Sequence, residues 1–136
     1  MSGHMDWGEL FLSANGRLAR APFLVAAAVL FGIAWIYEAI VGETNTLHWL
    51  TGFFVYPALF YCGACVLSKR LHDRGRSGWI AALILVALVA TWPMPIYFFD
   101  FVFMLVVIWA VIELGVMSGE QGANRFGPNP LRAVAV

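Results

Sequence analysis

Charge is scarce in this chain: Lys, Arg, Asp and Glu make up 12% of its 136 residues, and eight basic residues against eight acidic leave a formal net charge of zero. Ordinary soluble domains carry about a quarter charged residues. With no basic field to hold nucleic acid over a large surface, a nucleic-acid binder is excluded. Thiols and imidazoles are scarce too, at two Cys and three His, and with His48 on the opposite side from the Cys pair no metal site and no cofactor are expected. Gly-x-Ser-x-Gly, P-loop and zinc-protease patterns are all missing, which removes the common catalytic signatures. What fills the chain is apolar, at 62% of residues and a mean hydropathy of +0.81. A core this small cannot hide such an excess, since a domain of about 150 residues still leaves roughly 30% of its unfolded surface in water. The surrounding solvent is therefore lipid, and the chain reads as an all-α polytopic membrane protein.

Residues 1–5, Met-Ser-Gly-His-Met, read as a cloning scar before a start at Met5, which removes His4 from the candidate ligands. The stretch 6–21 holds an amphipathic segment with Trp7, Leu10, Phe11 and Ala14 at helical spacing, too short and polar to cross a bilayer, then the Asn15-Gly16 turn. It is expected to lie as an interfacial helix. Apolar runs at 22–41 and 47–67 are each long enough to cross about 30 Å of hydrocarbon. Trp79 to Met117 as one helix would reach roughly 58 Å, so it must fold back, and Pro93-Met94-Pro95 is the place. Spans three and four are then 79–92, unusually short, and 96–117, followed by a tail over 118–136. Span three is expected to begin near Ser77, with that side chain capping it.

Charge placement supports the count. Arg17 and Arg20 precede span one, Lys69, Arg70, Arg74 and Arg76 lie between spans two and three, and Arg125 and Arg132 follow span four. Four spans put all eight on one face, which basic residues mark as cytoplasmic, with both termini on that side of a bacterial inner membrane.

Three polar blocks occupy that face: Gly16-Arg17-Leu18-Ala19-Arg20-Ala21-Pro22-Phe23, Lys69-Arg70-Leu71-His72-Asp73 running into Gly75-Arg76-Ser77-Gly78-Trp79, and Gly122 with Asn124-Arg125-Phe126-Gly127-Pro128-Asn129-Pro130. In order and spacing they resemble the signature blocks of the small bacterial inner-membrane family called domain of unknown function 805, over Trp7 to Pro130. One departure is Leu24 after Phe23, where many members carry a Phe-Trp pair. The resemblance implies a four-helix membrane protein and supplies no assigned reaction.

The chemistry follows from the residues. Arg17, Arg20, Lys69, Arg70, Arg74, Arg76 and Arg125 can converge with His72, Asp73, Ser77 and Asn124 at headgroup level, where guanidinium forks suit phosphate and Gly75 and Gly78 admit close approach to an anion. Anionic membrane lipids are the expected partners. The competing reading is architectural, with Arg70 holding Asp73 across one turn and Arg125 drawn alongside by the tail. Three acids, Glu38, Asp100 and Glu113, interrupt the apolar runs near their ends rather than at a midplane, so they form no ladder for a proton relay. Glu113 is expected to pair with Arg70 or Arg20. Cys62-Gly63-Ala64-Cys65 has dithiol spacing but lies within span two, where helix contact explains it better than redox chemistry. The leading expectation is a non-enzymatic scaffold or lipid-interacting protein. Alternatives are a small transporter or channel acting as a homo-oligomer, and a lipid-phosphate enzyme using His72 and Asp73.

Overall fold

A computed structural model describes residues 6–92 and 94–133, by backbone alone at 132 and 133. Residues 1–5, Pro93 and 134–136 lie outside the described residues, and with them the scar and one proline of the fold-back. The described chain is helical, with a single antiparallel backbone pairing between Asn124 and Gly127. In order, the elements are α1 (Trp7–Leu12), α2 (Arg20–Val41), α3 (Asn45–Asp73), α4 (Ile80–Ala90), α5 (Phe98–Ala110), which runs on as a π-helical turn over Val111–Val116, and α6 (Pro130–Ala133). Helices α2, α3 and α5 with its π turn are long and apolar enough to cross a membrane, and α4 is a shorter apolar helix.

Each boundary has a local cause. The Asp6 carboxylate accepts the Glu9 N–H at 3.2 Å and starts α1. Helix α3 passes through Pro57, which a membrane helix tolerates, and runs six residues beyond the apolar stretch because Ser68 to Asp73 remain helix formers until Gly75 turns the chain at φ +70°. The turn over Ser77 to Trp79 leads into α4, whose first full residue is Ile80. The Ser77 hydroxyl lies 3.4 Å from the Trp79 N–H, a loose cap one turn ahead of the helix proper.

Helix α3 is central: α1, α2 and α4 all pack on it, α5 packs on α4, and the π turn closes the ring by packing on α2. Because the long helices alternate in direction, the start of α2, the end of α3, the start of α4 and the end of α5 share one end of the molecule. The hydrophobic core lies there. Leu10, Phe23, Ala26, Val66, Leu71, Ala81, Ile84, Ala110 and Leu114 form one buried cluster. Toward the far end, Trp35, Trp49, Phe53, Phe54 and Phe98 are each more than two-thirds exposed.

Candidate functional site

The core end carries a polar network built around the last turn of α3. Lys69 donates through Nζ to the carbonyls of Glu9 at 2.5 Å and Leu10 at 2.8 Å, closing the open end of α1. Arg70, fully buried, donates from Nε to Leu114 O at 2.7 Å, from Nη2 to Met117 O at 2.6 Å, and from Nη1 to Leu18 O and the Asp73 carboxylate. A helix ends with four carbonyls that lack intrahelical partners, and this guanidinium takes two carbonyls from the π turn and the residue after it. Arg20 takes a third, Val116 O, at 2.9 Å.

Asp73 is held from two sides. Its other oxygen accepts from Arg17 Nε at 3.0 Å, with the Nη2 of the same guanidinium in ion-pair contact at 3.0 Å. The same Arg17 donates to the carbonyls of Gly122 at 2.7 Å, Gly127 at 3.3 Å and Glu120 at 2.6 Å, so one guanidinium gathers the tail loop beneath α3. Backbone bonds from Glu120 N–H to Asp73 O, at 2.8 Å, and from Leu18 N–H to Lys69 O, at 3.1 Å, fix both segments to the same turn. Gly119 permits this approach, since a Cβ there would collide with the Asp73 carboxylate. His72 lies flat on Phe126 with centroids 3.9 Å apart, and its Nδ1 is 2.9 Å from Gly16 O. A carbonyl can only accept, so Nδ1 bears the hydrogen. Asn124 donates to His72 O at 2.9 Å and to Glu120 at 2.6 Å.

Glu113 pairs with different arginines from those expected. Its Oε1 accepts from Arg76 Nε at 2.8 Å and Arg74 Nε at 3.1 Å, while Arg70 and Arg20 spend their donors on the carbonyls just described. The π turn is the reason: its wider winding rotates Glu113 off the α-helical register, toward the connection that follows α3. Arg74 also donates to Ser118 O, and Arg76 lies over the Trp109 ring at 5.5 Å. Arg125 is a second departure. It is exposed and lies over Phe126 at 4.7 Å, reaching the network through that ring and not through Arg70.

The other two acids sit away from this end. Glu38 meets His48 Nε2 at 3.2 Å, and the same nitrogen lies 3.3 Å from the Tyr56 hydroxyl, tying α2 to α3. Asp100 accepts the N–H groups of Ile96 at 3.0 Å and Tyr97 at 2.8 Å and so caps its own helix. Cys65 is buried, and Cys62 lines an apolar groove of about 340 Å³ with Phe11, Leu30, Ile33 and Leu59. No group of three or more metal-ligating side chains occurs among the described residues.

The backbone carbonyls that organise the network carry no residue signature. Only Gly119 and Gly75, where a Cβ would meet the Asp73 and Glu120 carboxylates, hint from the sequence that the tail lies against α3.

The family model described as "Protein of unknown function (DUF805)" matches residues 11–128. The chain belongs to this family. Proteins named "Uncharacterized protein YiiR" from Escherichia coli K12 and from Escherichia coli O157:H7 are each 33% identical over 127 residues, covering 88% of this chain and 86% of the relative. No solved structure matches. The DUF805 match encloses every arginine of the network from Arg17 to Arg76, together with the Glu120, Gly122 and Gly127 carbonyls that Arg17 binds.

Proposed function

We propose that this DUF805 protein is a non-enzymatic scaffold of the bacterial inner membrane. In this reading it crosses four times with both termini in the cytoplasm, and its basic end is a structural clasp at headgroup level. The observation that carries the reading is the saturation of Arg17 and Arg70. Every guanidinium nitrogen of both bonds to the chain's own carbonyls or to Asp73. A fork occupied in this way has little left to offer a phosphate. Contact with anionic headgroups then falls to the rim, where Arg20 and Arg125 are exposed and Arg76 is nearly half so.

The same bonds weaken the enzyme reading, because Asp73 lies between two arginines and the His72 ring is stacked with one nitrogen committed. The transporter reading loses its intramembrane acids in a similar way. Glu38, Asp100 and Glu113 each bond within their own helix or to a neighbour, at separate places.

Melting in detergent and lipid retention by native mass spectrometry, run in parallel on Arg70→Gln and Arg125→Gln, test the division of labour. The clasp reading expects Arg70→Gln to lower the melting temperature while the ratio of anionic to zwitterionic lipid retained by the folded fraction stays constant. It expects Arg125→Gln to reduce anionic retention with little change in melting. Loss of anionic retention in Arg70→Gln at unchanged melting temperature would contradict it.

A further inference from the structure

The two hairpins of this molecule reach different heights. At the basic end they start together: the Ser68 hydroxyl bonds Gly78 O at 3.2 Å, and Gly63 packs against the Leu85 side chain. From that shared level α3 continues about 27 Å to Asn45. Helix α4 continues only about 8 Å, to Ala90. Helix α2, which pairs with α3, is 22 residues long, about 33 Å. The whole of α4 is 11 residues, about 16 Å, little more than half of a hydrocarbon layer about 30 Å thick. Helix α5 climbs further than α4, about 18 Å from Ala110, in the core, back to Phe98, against about 27 Å for α3.

If α2 and α3 fill the bilayer, the described residues of the α4–α5 connection, 91–92 and 94–97, sit below the far headgroups. Their chemistry does not suit hydrocarbon. Asp100 holds a carboxylate there on the Ile96 and Tyr97 N–H groups, and Trp92 and Tyr97 are 65% and 74% exposed. A carboxylate in lipid is costly, and Trp and Tyr partition to the membrane–water boundary. Trp79, 87% exposed at the start of α4, marks the other boundary, so on this face two tryptophans bracket a layer of about 20 Å. A hydrophobic stretch shorter than the layer is accommodated by thinning the bilayer.

From this step we infer that the α4–α5 face is a membrane-thinning surface, along which the headgroups and water of the far leaflet are drawn down to the level of Trp92 and Tyr97. Its partner is the lipid bilayer itself, deformed on one side of the protein and of normal thickness on the other. The inference rests on the four-crossing reading above.

Spin labels at single cysteines test it, in the full chain carrying Cys62→Ala and Cys65→Ala, reconstituted in dioleoyl phosphatidylcholine vesicles. Positions are Met94→Cys in the low connection, Ile96→Cys as a second label there, Thr44→Cys in the high one, and Leu105→Cys on the exposed flank of α5. Accessibility to a water-soluble nickel chelate is compared with accessibility to oxygen. The expected result is nickel access at 94 and 96 equal to that at 44, with the label at 105 reached by oxygen alone. Oxygen-dominated relaxation at 94 and 96, with 44 in water, would overturn the thinning and leave the four crossings standing. Shielding of 94 and 96 from both reagents would also overturn it, in favour of a second copy filling the step. A label at 44 that nickel does not reach would overturn the four-crossing reading, and the inference with it.

Discussion

The two ends of this molecule are made from the same helices and are held together by different means. At the basic end the buried apolar cluster is roofed by cations whose donors close helix ends: Lys69 on α1, and Arg70 and Arg20 on the π turn. At the opposite end the ties between α2 and α3 are neutral or half-exposed, with the Tyr37 hydroxyl on Thr51 at 2.8 Å and His48 between Glu38 and Tyr56. Lipid solvates apolar side chains as well as other side chains do, so apolar contact alone drives little association between membrane helices. Packing and hydrogen bonding do more, and both are concentrated where the helices end in backbone carbonyls needing donors.

That contrast orders the expected effects of substitution. Arg70→Gln at the buried centre leaves Asp73 and two helix-end carbonyls short of donors, and should cost about 3 to 5 kcal/mol in equilibrium unfolding in mixed micelles. A cost like that of a surface pair would erase the distinction between the ends. Gly119→Ala drives a methyl group against the Asp73 carboxylate and should cost about 2 kcal/mol, read as a lowered melting temperature with the tail loop newly open to protease. A protease-resistant loop in that variant would show that the tail is not seated on α3. Glu113→Gln keeps one acceptor for Arg74 and Arg76 but removes the charge. Both arginines are partly exposed, so the loss should be smaller, about 1 kcal/mol by denaturant titration. At the far end, Tyr37→Phe removes a half-buried hydroxyl that bonds Thr51 at 2.8 Å and the His48 carbonyl at 3.2 Å, and should cost about 0.5 kcal/mol. A larger effect there than for Glu113→Gln would invert the comparison.

Much of the helical layout was legible because apolar runs and prolines signal it directly. The Pro22–Val41 run corresponds to α2, and the short third run to the 11 residues of α4. The pairing of Arg70 with Asp73 follows from their spacing on one helix, three residues apart. The partner of Glu113 is not legible in the sequence because two facts have no sequence mark: the π winding around it, and the carbonyls of Leu114, Val116 and Met117 that occupy Arg70 and Arg20. Arg17 appears in the sequence as one basic residue among eight. It becomes the tail's anchor only once the loop at 118–128 is folded beneath it, and such a loop follows from tertiary contacts, not from local propensity. Arg125 is adjacent to Asn124 in a conspicuous block, yet the Asn124–Gly127 turn leaves it exposed over Phe126, away from Arg70.

The clasp is tested most directly by hydrogen exchange of residues 118–128, a segment outside the long helices whose order depends on Arg17 and Asp73. The Glu120 amide is bonded to Asp73 O, those of Asn124 and Gly127 each to the other's carbonyl across the turn, and that of Phe126 to the Asn124 side chain. These four should exchange slowly in the intact protein in nanodiscs and fast in Arg17→Gln, while Gly42 to Thr44 at the far end is unaffected. Fast exchange at these amides already in the unaltered protein, or no acceleration in Arg17→Gln, would contradict a clasp at the basic end.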